Sequence, residues 1–155
     1  MHGMPAFFVP EENDANARYL LEIDSIAVAV FRLGEGLRSE REVLEIDEGG
    51  REFAISRLGP YAKGHITLEE GETDNPDLLL WFETCRDQDI FVSSRRTGHV
   101  IYVDGGGRER MRWRFKNARI TEWIGPGEPP EPGEVYYVER LGISHEGLEP
   151  IPSRD

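Results

Sequence analysis

The stretch RERMRWRFKNARITEW, residues 108–123, decides the fold. Met111, Trp113 and Phe115 fall on one side of a period-two pattern, while Arg110, Arg112, Arg114 and Lys116 fall on the other. Successive side chains of an extended strand leave on opposite faces, so this alternation predicts a strand with one face in a core and one in water. The triple glycine at residues 105–107, preceded by Asp104, supplies a tight turn that joins it to the apolar run at residues 99–103. The two runs read as a β-hairpin, with Trp113 and Phe115 as its largest core anchors.

Working outward, most of the chain repeats this theme. Residues 18–24 form an expected first strand, with Tyr19, Leu21 and Ile23 on one face. Asp24-Ser25 is a tight turn into a second strand at residues 26–31, apolar on both faces, which predicts a central position in a sheet or an interface. Residues 42–47 alternate Leu44 and Ile46 against Glu45 and Asp47, run into Gly49-Gly50, and return through residues 51–57 with Phe53 and Ile55. This long charged hairpin reads either as a solvated loop or as an arm that reaches another subunit.

Leu58-Gly59-Pro60 then turns the chain into a short strand at residues 65–69, with Ile66 and Leu68. A single helix follows. Asn75 is a good N-cap, Pro76 suits the first helical position, and Asp77 complements the macrodipole. Leu78, Trp81, Phe82 and Cys85 recur at helical spacing, so that face packs on a sheet, with Trp81 and Phe82 as anchors and an end near residue 87.

Residues 125–133, GPGEPPEPG, form a proline-stiffened acidic loop, and residues 134–144 a last strand with Val135, Tyr137, Leu141 and Ile143 inward. Residues 1–17 read as an arm around Phe7, Phe8 and Val9. The sum is a single mainly β domain over residues 1–155, an antiparallel β-barrel or sandwich with one flanking helix. Strand edges in such a sheet must be covered or shared with neighbours, which points to an oligomer.

Composition narrows the function. A 155-residue chain buries about 68–70% of its unfolded surface without staples. The net charge of −12 disfavours a nucleic-acid or anionic-membrane binder. The lone cysteine, Cys85, excludes an intramolecular disulfide and a cysteine-based zinc site and suits a reducing compartment. The apolar runs fall far short of the roughly 18 residues of a membrane span. The N-terminus lacks the basic region of a signal peptide.

Candidate chemistry is sparse. His2, His65, His99 and His145 share no metal-ligand spacing and read as surface or strand-end residues. Cys85 lies on the inward stripe of the helix, where an inert buried thiol is expected. The pairs Glu11-Glu12 and Glu69-Glu70 are sequence neighbours, and neighbours in an extended chain point to opposite faces, so neither forms an acid/base dyad. The basic row Arg110, Arg112, Arg114 and Lys116 is expected to pair with carboxylates on an adjacent strand or subunit. No nucleophile, base and oxyanion site come together, so the sequence predicts no enzyme and no cofactor or metal.

The order of elements resembles the tail tube proteins of contractile phages and contractile injection systems. The resemblance runs from about residue 18 to residue 148. It is carried by YLLEID (19–24), EVLEIDEGG (42–50), KGHITLEEG (63–71), LWF (80–82) in the helix, WRFKNA (113–118), WIGP (123–126) and LGISHEGL (141–148). It implies a small barrel with a flanking helix, assembled as hexameric rings that stack into a hollow tube inside a sheath. In that family, strands of six subunits join to line the lumen, and the long second hairpin reaches a neighbouring subunit or ring.

Inter-subunit contacts are then expected at Glu42, Glu45, Asp47, Gly49, Gly50, Arg51 and Arg57, and along Arg110, Arg112, Arg114 and Lys116. Implied partners are further copies of the chain, a sheath protein, baseplate, tube-initiator and tube-terminator proteins, and DNA or other cargo in the lumen, with no membrane insertion by this chain alone. Assembly is expected in the host cytoplasm, then in a virion or injection particle. Asp24-Ser25 replaces a usual Asp-Gly, Arg-Leu-Gly-Glu-Gly-Leu at residues 32–37 replaces a usual Ser-Gly-Leu, and Leu58-Gly59-Pro60 replaces a usual Leu-Pro-Gly. These departures keep open a tube-initiator paralogue at the baseplate. A monomeric acidic β-barrel that binds a small or anionic ligand is the reading from another class.

Overall fold

The hairpin at residues 96–124 closes the barrel. In the computed structural model, which describes residues 15–37, 64–86, 94–128 and 130–152, seven strands and one helix follow in order. They are β1 (Arg18–Ile23), β2 (Ile26–Glu35), β3 (Gly64–Thr73), α1 (Asp77–Arg86), β4 (Arg96–Val103), β5 (Glu109–Ile124), β6 (Tyr136–His145) and β7 (Gly147–Pro152). All pairings are antiparallel, in the order β4-β1-β2-β3-β6-β5-β7, and β4 also pairs with β5. That last pairing closes six strands into a barrel. Closure removes the free edges that an open sheet would expose.

The β4–β5 hairpin turns on Asp104. Its carboxylate oxygen accepts hydrogen bonds from Gly106 N and Arg108 N, each at 3.0 Å, and Gly107 takes the left-handed region at φ 86°. Those backbone donors, Arg108 first, hold the Asp104 carboxyl below its ordinary range. β5 is long enough to serve three strands, with β4 on one side and, in one continuous register on the other, β7 against its first half and β6 against its end. Met111, Trp113 and Phe115 point inward and are at most 1% exposed, and Leu21, Phe31, Ile66, Leu68, Leu141 and Ile143 join them in one core.

α1 closes one side. Asn75 Oδ1 accepts from Asp77 N at 2.8 Å, which caps the helix as its sequence predicts. Leu78, Leu79, Trp81 and Cys85 are buried, Trp81 Nε1 donates to Ser94 O at 2.6 Å, and Phe82 stacks on Trp123 with centroids 4.6 Å apart. Tyr136 ties β6 to the start of α1, donating to Asn75 O at 2.7 Å and accepting from Leu79 N.

Several expectations change. β2 and β3 extend past residues 26–31 and 65–69, to Glu35 and Thr73. β2 is not buried on both faces, since Ile26 and Val30 are exposed. In β6 the inward residues are Tyr136, Val138, Leu141 and Ile143, whereas Val135 and Tyr137 are 62% and 65% exposed. The alternation there changes phase part-way along the strand. His145 ends its strand but is buried rather than a surface residue. The hairpin arm expected at residues 38–57 and residues 1–14 of the N-terminal arm lie outside the described residues.

Candidate functional site

The barrel presents two outer faces of different character. The first is formed by β1, β4 and the first half of β5. Arg110, Arg112, Arg114 and Lys116 line it, opposite the inward Met111, Trp113 and Phe115. Arg110 pairs with Asp104 at 3.1 Å. Arg112 holds Glu109 through two hydrogen bonds of 2.8 and 3.0 Å and lies 3.8 Å from Glu22. The Glu109 hydrogen bond raises the Arg112 pKa, while burial, then Arg112, lowers that of His99. Arg114 sits between His99 of β4 and Glu149 of β7 in the strand register. In the next row Ile101, between Leu20 and Arg112, is only 3% exposed although it points away from the core. Charges here meet partners within the chain, and apolar surface is covered.

The second face lies across the barrel, on β2, β3 and β6. Phe31, Gly71 and Val138 form one inward row, and Gly34, Leu68 and Leu141 form the next. Strict alternation would leave one residue per strand between inward neighbours. Here each strand has two, and both point out: Arg32 and Leu33, Glu69 and Glu70, Glu139 and Arg140. Glu70 adopts φ 58°, the left-handed region that reverses a strand's pleat. Gly71 beside it leaves room for the Phe31 ring, which a Cβ there would press aside. The result is a corner that doubles the outward side chains along one line of the sheet.

Glu69 and Glu70 therefore share a face, contrary to the extended-chain expectation. They engage different arginines, with Glu69 2.8 Å from Arg140 and Glu70 3.5 Å from Arg32, and Arg140 also meets Glu122 at 3.1 Å. They form no proton-sharing pair. Glu72, Asp74 and Glu139 have no ion-pair partner among the described residues. Val30, Leu33, Ile124, Val135 and Tyr137 are exposed on or beside this face. Two hollows of about 620 and 480 Å³ open between them and share Glu70 and Tyr137 as lining residues.

Of the candidate residues, Arg110, Arg112, Arg114 and Lys116 come together on the first face, and Trp81, Trp113 and Phe115 lie in the core with Phe82 packed against it. Glu42, Glu45, Asp47, Gly49, Gly50, Arg51 and Arg57 lie outside the described residues. Sequence reasoning missed the second face. Its one local signal was Glu-Glu-Gly at residues 69–71, where a glycine interrupts an alternating strand. Among the described residues no group of histidine, cysteine or carboxylate side chains could hold a metal ion, and no helix is long and apolar enough to cross a membrane.

The fold is that of a mainly β protein, a closed barrel with one flanking helix and two unlike outer faces. The match to known families is of the same kind. The chain belongs to the family of the T4-like virus tail tube protein gp19, whose model matches residues 15–149. It is thus a structural tail tube protein. A chain of the PVC extracellular contractile injection system, solved by cryo-EM as a sheath–tube complex in the extended state, is similar at 12% identity, covering 97% of this chain and 95% of that one with a TM-score of 0.48. No curated protein sequence matches the chain.

Proposed function

We propose that the chain forms hexameric rings, that the rings stack into the hollow inner tube of a contractile tail or injection machine, and that the β2–β3–β6 face lines the lumen. Its role is mechanical rather than enzymatic: a rigid conduit driven through a target envelope as the sheath contracts. The observation that carries this reading is the tail tube family match across residues 15–149, nearly the whole described barrel. The choice of face is supported by its charge. Glu35, Glu69, Glu70, Glu72, Glu122 and Glu139 outnumber Arg18, Arg32 and Arg140, and a polyanion passing such a wall is repelled rather than bound.

The opposite face, with Arg110, Arg112, Arg114 and Lys116, then looks outward or toward adjacent copies. Ring contacts also fall on Glu42, Glu45, Asp47, Gly49, Gly50, Arg51 and Arg57 and on the loop at residues 125–133. The partners are a sheath protein, baseplate, tube-initiator and tube-terminator proteins, and cargo or DNA. Assembly takes place in the host cytoplasm, and the product is part of a virion or an injection particle.

Negative-stain electron microscopy of the concentrated protein tests the assembly. Hollow rings or stacked tubes are expected. Small featureless particles that stay monomeric by light scattering, alone and with baseplate components, would overturn it. Rings that form only with baseplate components would instead identify a tube initiator.

A further inference from the structure

The hollows on the β2–β3–β6 face combine features that a wall made only to repel would not need. Tyr137 is 65% exposed and borders both, Ile124 and Pro126 line one, and Val30 and Val135 line the other. Around them stand Glu72, Asp74 and Glu139, without ion-pair partners among the described residues, and Glu70, whose 3.5 Å contact with Arg32 is half exposed on both sides. On the first face, by contrast, carboxylates are engaged and Ile101 is covered. An exposed aromatic ring among unneutralised carboxylates offers an apolar seat with a negative rim.

We propose that this face binds cationic polypeptide segments in which an aromatic or aliphatic side chain is flanked by lysine or arginine. The apolar side chain seats against Tyr137 and Ile124 or Val30, and the flanking cations meet Glu70, Glu72 and Glu139. A cation held by a carboxylate beside an aromatic face gains from both. Among the described residues of this face the cations open to an anionic polymer are Arg18, Arg32 and Arg140, of which Arg32 and Arg140 are already paired. The inference deepens the proposed tube: a face lining a conduit meets whatever passes through, so this one holds basic protein cargo by short-lived contacts and lets DNA slide.

The test uses the full-length protein in dilute solution and a fluorescein-labelled peptide of alternating lysine and phenylalanine, with an alternating glutamate and phenylalanine peptide as control. Fluorescence anisotropy reads binding at low and high salt. The lysine peptide is expected to bind, more weakly as salt rises, and the glutamate peptide not to bind. E72Q/E139Q should lower affinity about fivefold or more through two lost charge contacts, and Y137A about threefold to tenfold through the lost ring.

All three positions are exposed, so melting temperatures near that of the unaltered protein will show that the variants fold. Equal binding of both peptides, or of the variants and the unaltered protein, would overturn the proposal. So would a loss of self-association in the variants without a loss of peptide binding, because the face then belongs to a second copy. Peptide binding without rings in the microscope, alone and with baseplate components, would leave this site standing and remove the tube reading; rings without peptide binding would do the reverse.

Discussion

The two outer faces of one barrel solve the same problem differently. On β1, β4 and the first half of β5 the long cations reach carboxylates of their own chain: Arg110 to Asp104, Arg112 to Glu109 and Glu22. On β2, β3 and β6 a corner at Glu70 throws two side chains per strand outward, and it leaves Glu72, Asp74 and Glu139 without ion-pair partners among the described residues and Tyr137 in the open. Both faces rest on one core and belong to one closed sheet. The difference lies in the backbone: Arg110, Arg112 and Arg114 alternate with the inward Met111, Trp113 and Phe115, whereas at the Glu70 corner two successive side chains on each strand turn outward.

The largest effect should come from beneath both faces. Trp113 is fully buried, so Trp113→Ala should cost about 3–5 kcal/mol in chemical denaturation, and loss of the folded baseline would be consistent with that. The paired glycines sharpen the contrast. A Cβ at Gly98, behind the first face, runs into Glu22 O and lies 2.8 Å from the Phe115 ring, whereas the nearest atoms to one at Gly71 belong to the Phe31 ring. A ring can turn aside and a paired backbone cannot. Gly98→Ala should therefore destabilise more than Gly71→Ala, each by about 1–3 kcal/mol. Equal melting temperatures would mean that the corner is as rigid as the paired side.

Acid should act at the seam where β3 meets β6. His145 is 5% exposed, neither ring nitrogen has a partner among the described residues, and burial, then His65, lowers its pKa from the ordinary 6.5. A proton therefore prefers the unfolded chain. The stabilising difference is fully present above the unfolded value and is lost as pH falls through about 6.5 toward the lower folded one. Thermal melts between neutral pH and the onset of carboxylate titration should show this decline, and His145→Phe should flatten it. A parallel slope in the variant would assign the decline elsewhere.

The smallest effects concern the charges themselves. A double-mutant cycle on Glu109 and Arg112 should give a coupling of about 0.2–1 kcal/mol, as for a partly exposed pair. Removing the Glu72 or Glu139 carboxylate should shift the stability of the isolated chain by less than about 0.5 kcal/mol. If Glu72→Gln costs as much as breaking the Arg112 pair, the two faces do not differ in this way.

Much of this was legible in the sequence. The β4–β5 hairpin, its Asp104 turn, the capped helix and the inward Trp113 and Phe115 followed from periodicity and turn chemistry. The Asp24-Ser25 turn needs the left-handed region twice, at φ 54° and 69°, and two short polar side chains accept it. Periodicity failed where the backbone changed phase. Counting by twos from Leu141 and Ile143 puts Tyr137 inward, and the corner puts it outward, with Tyr136 buried and bonded to Asn75. Sequence spacing carries no mark of a pleat reversal except Gly71, whose need becomes clear only when the Phe31 ring is in place. The second face was invisible for that reason.

A cryo-EM reconstruction of the assembled rings tests the central claim, that a two-faced barrel builds a conduit, most directly. The expected map places Tyr137, Glu72 and Glu139 on the lumen wall and the row Arg110, Arg112, Arg114 and Lys116 away from it. A lumen lined by that basic row would contradict the assignment of the faces and the passage of polyanions along an acidic wall.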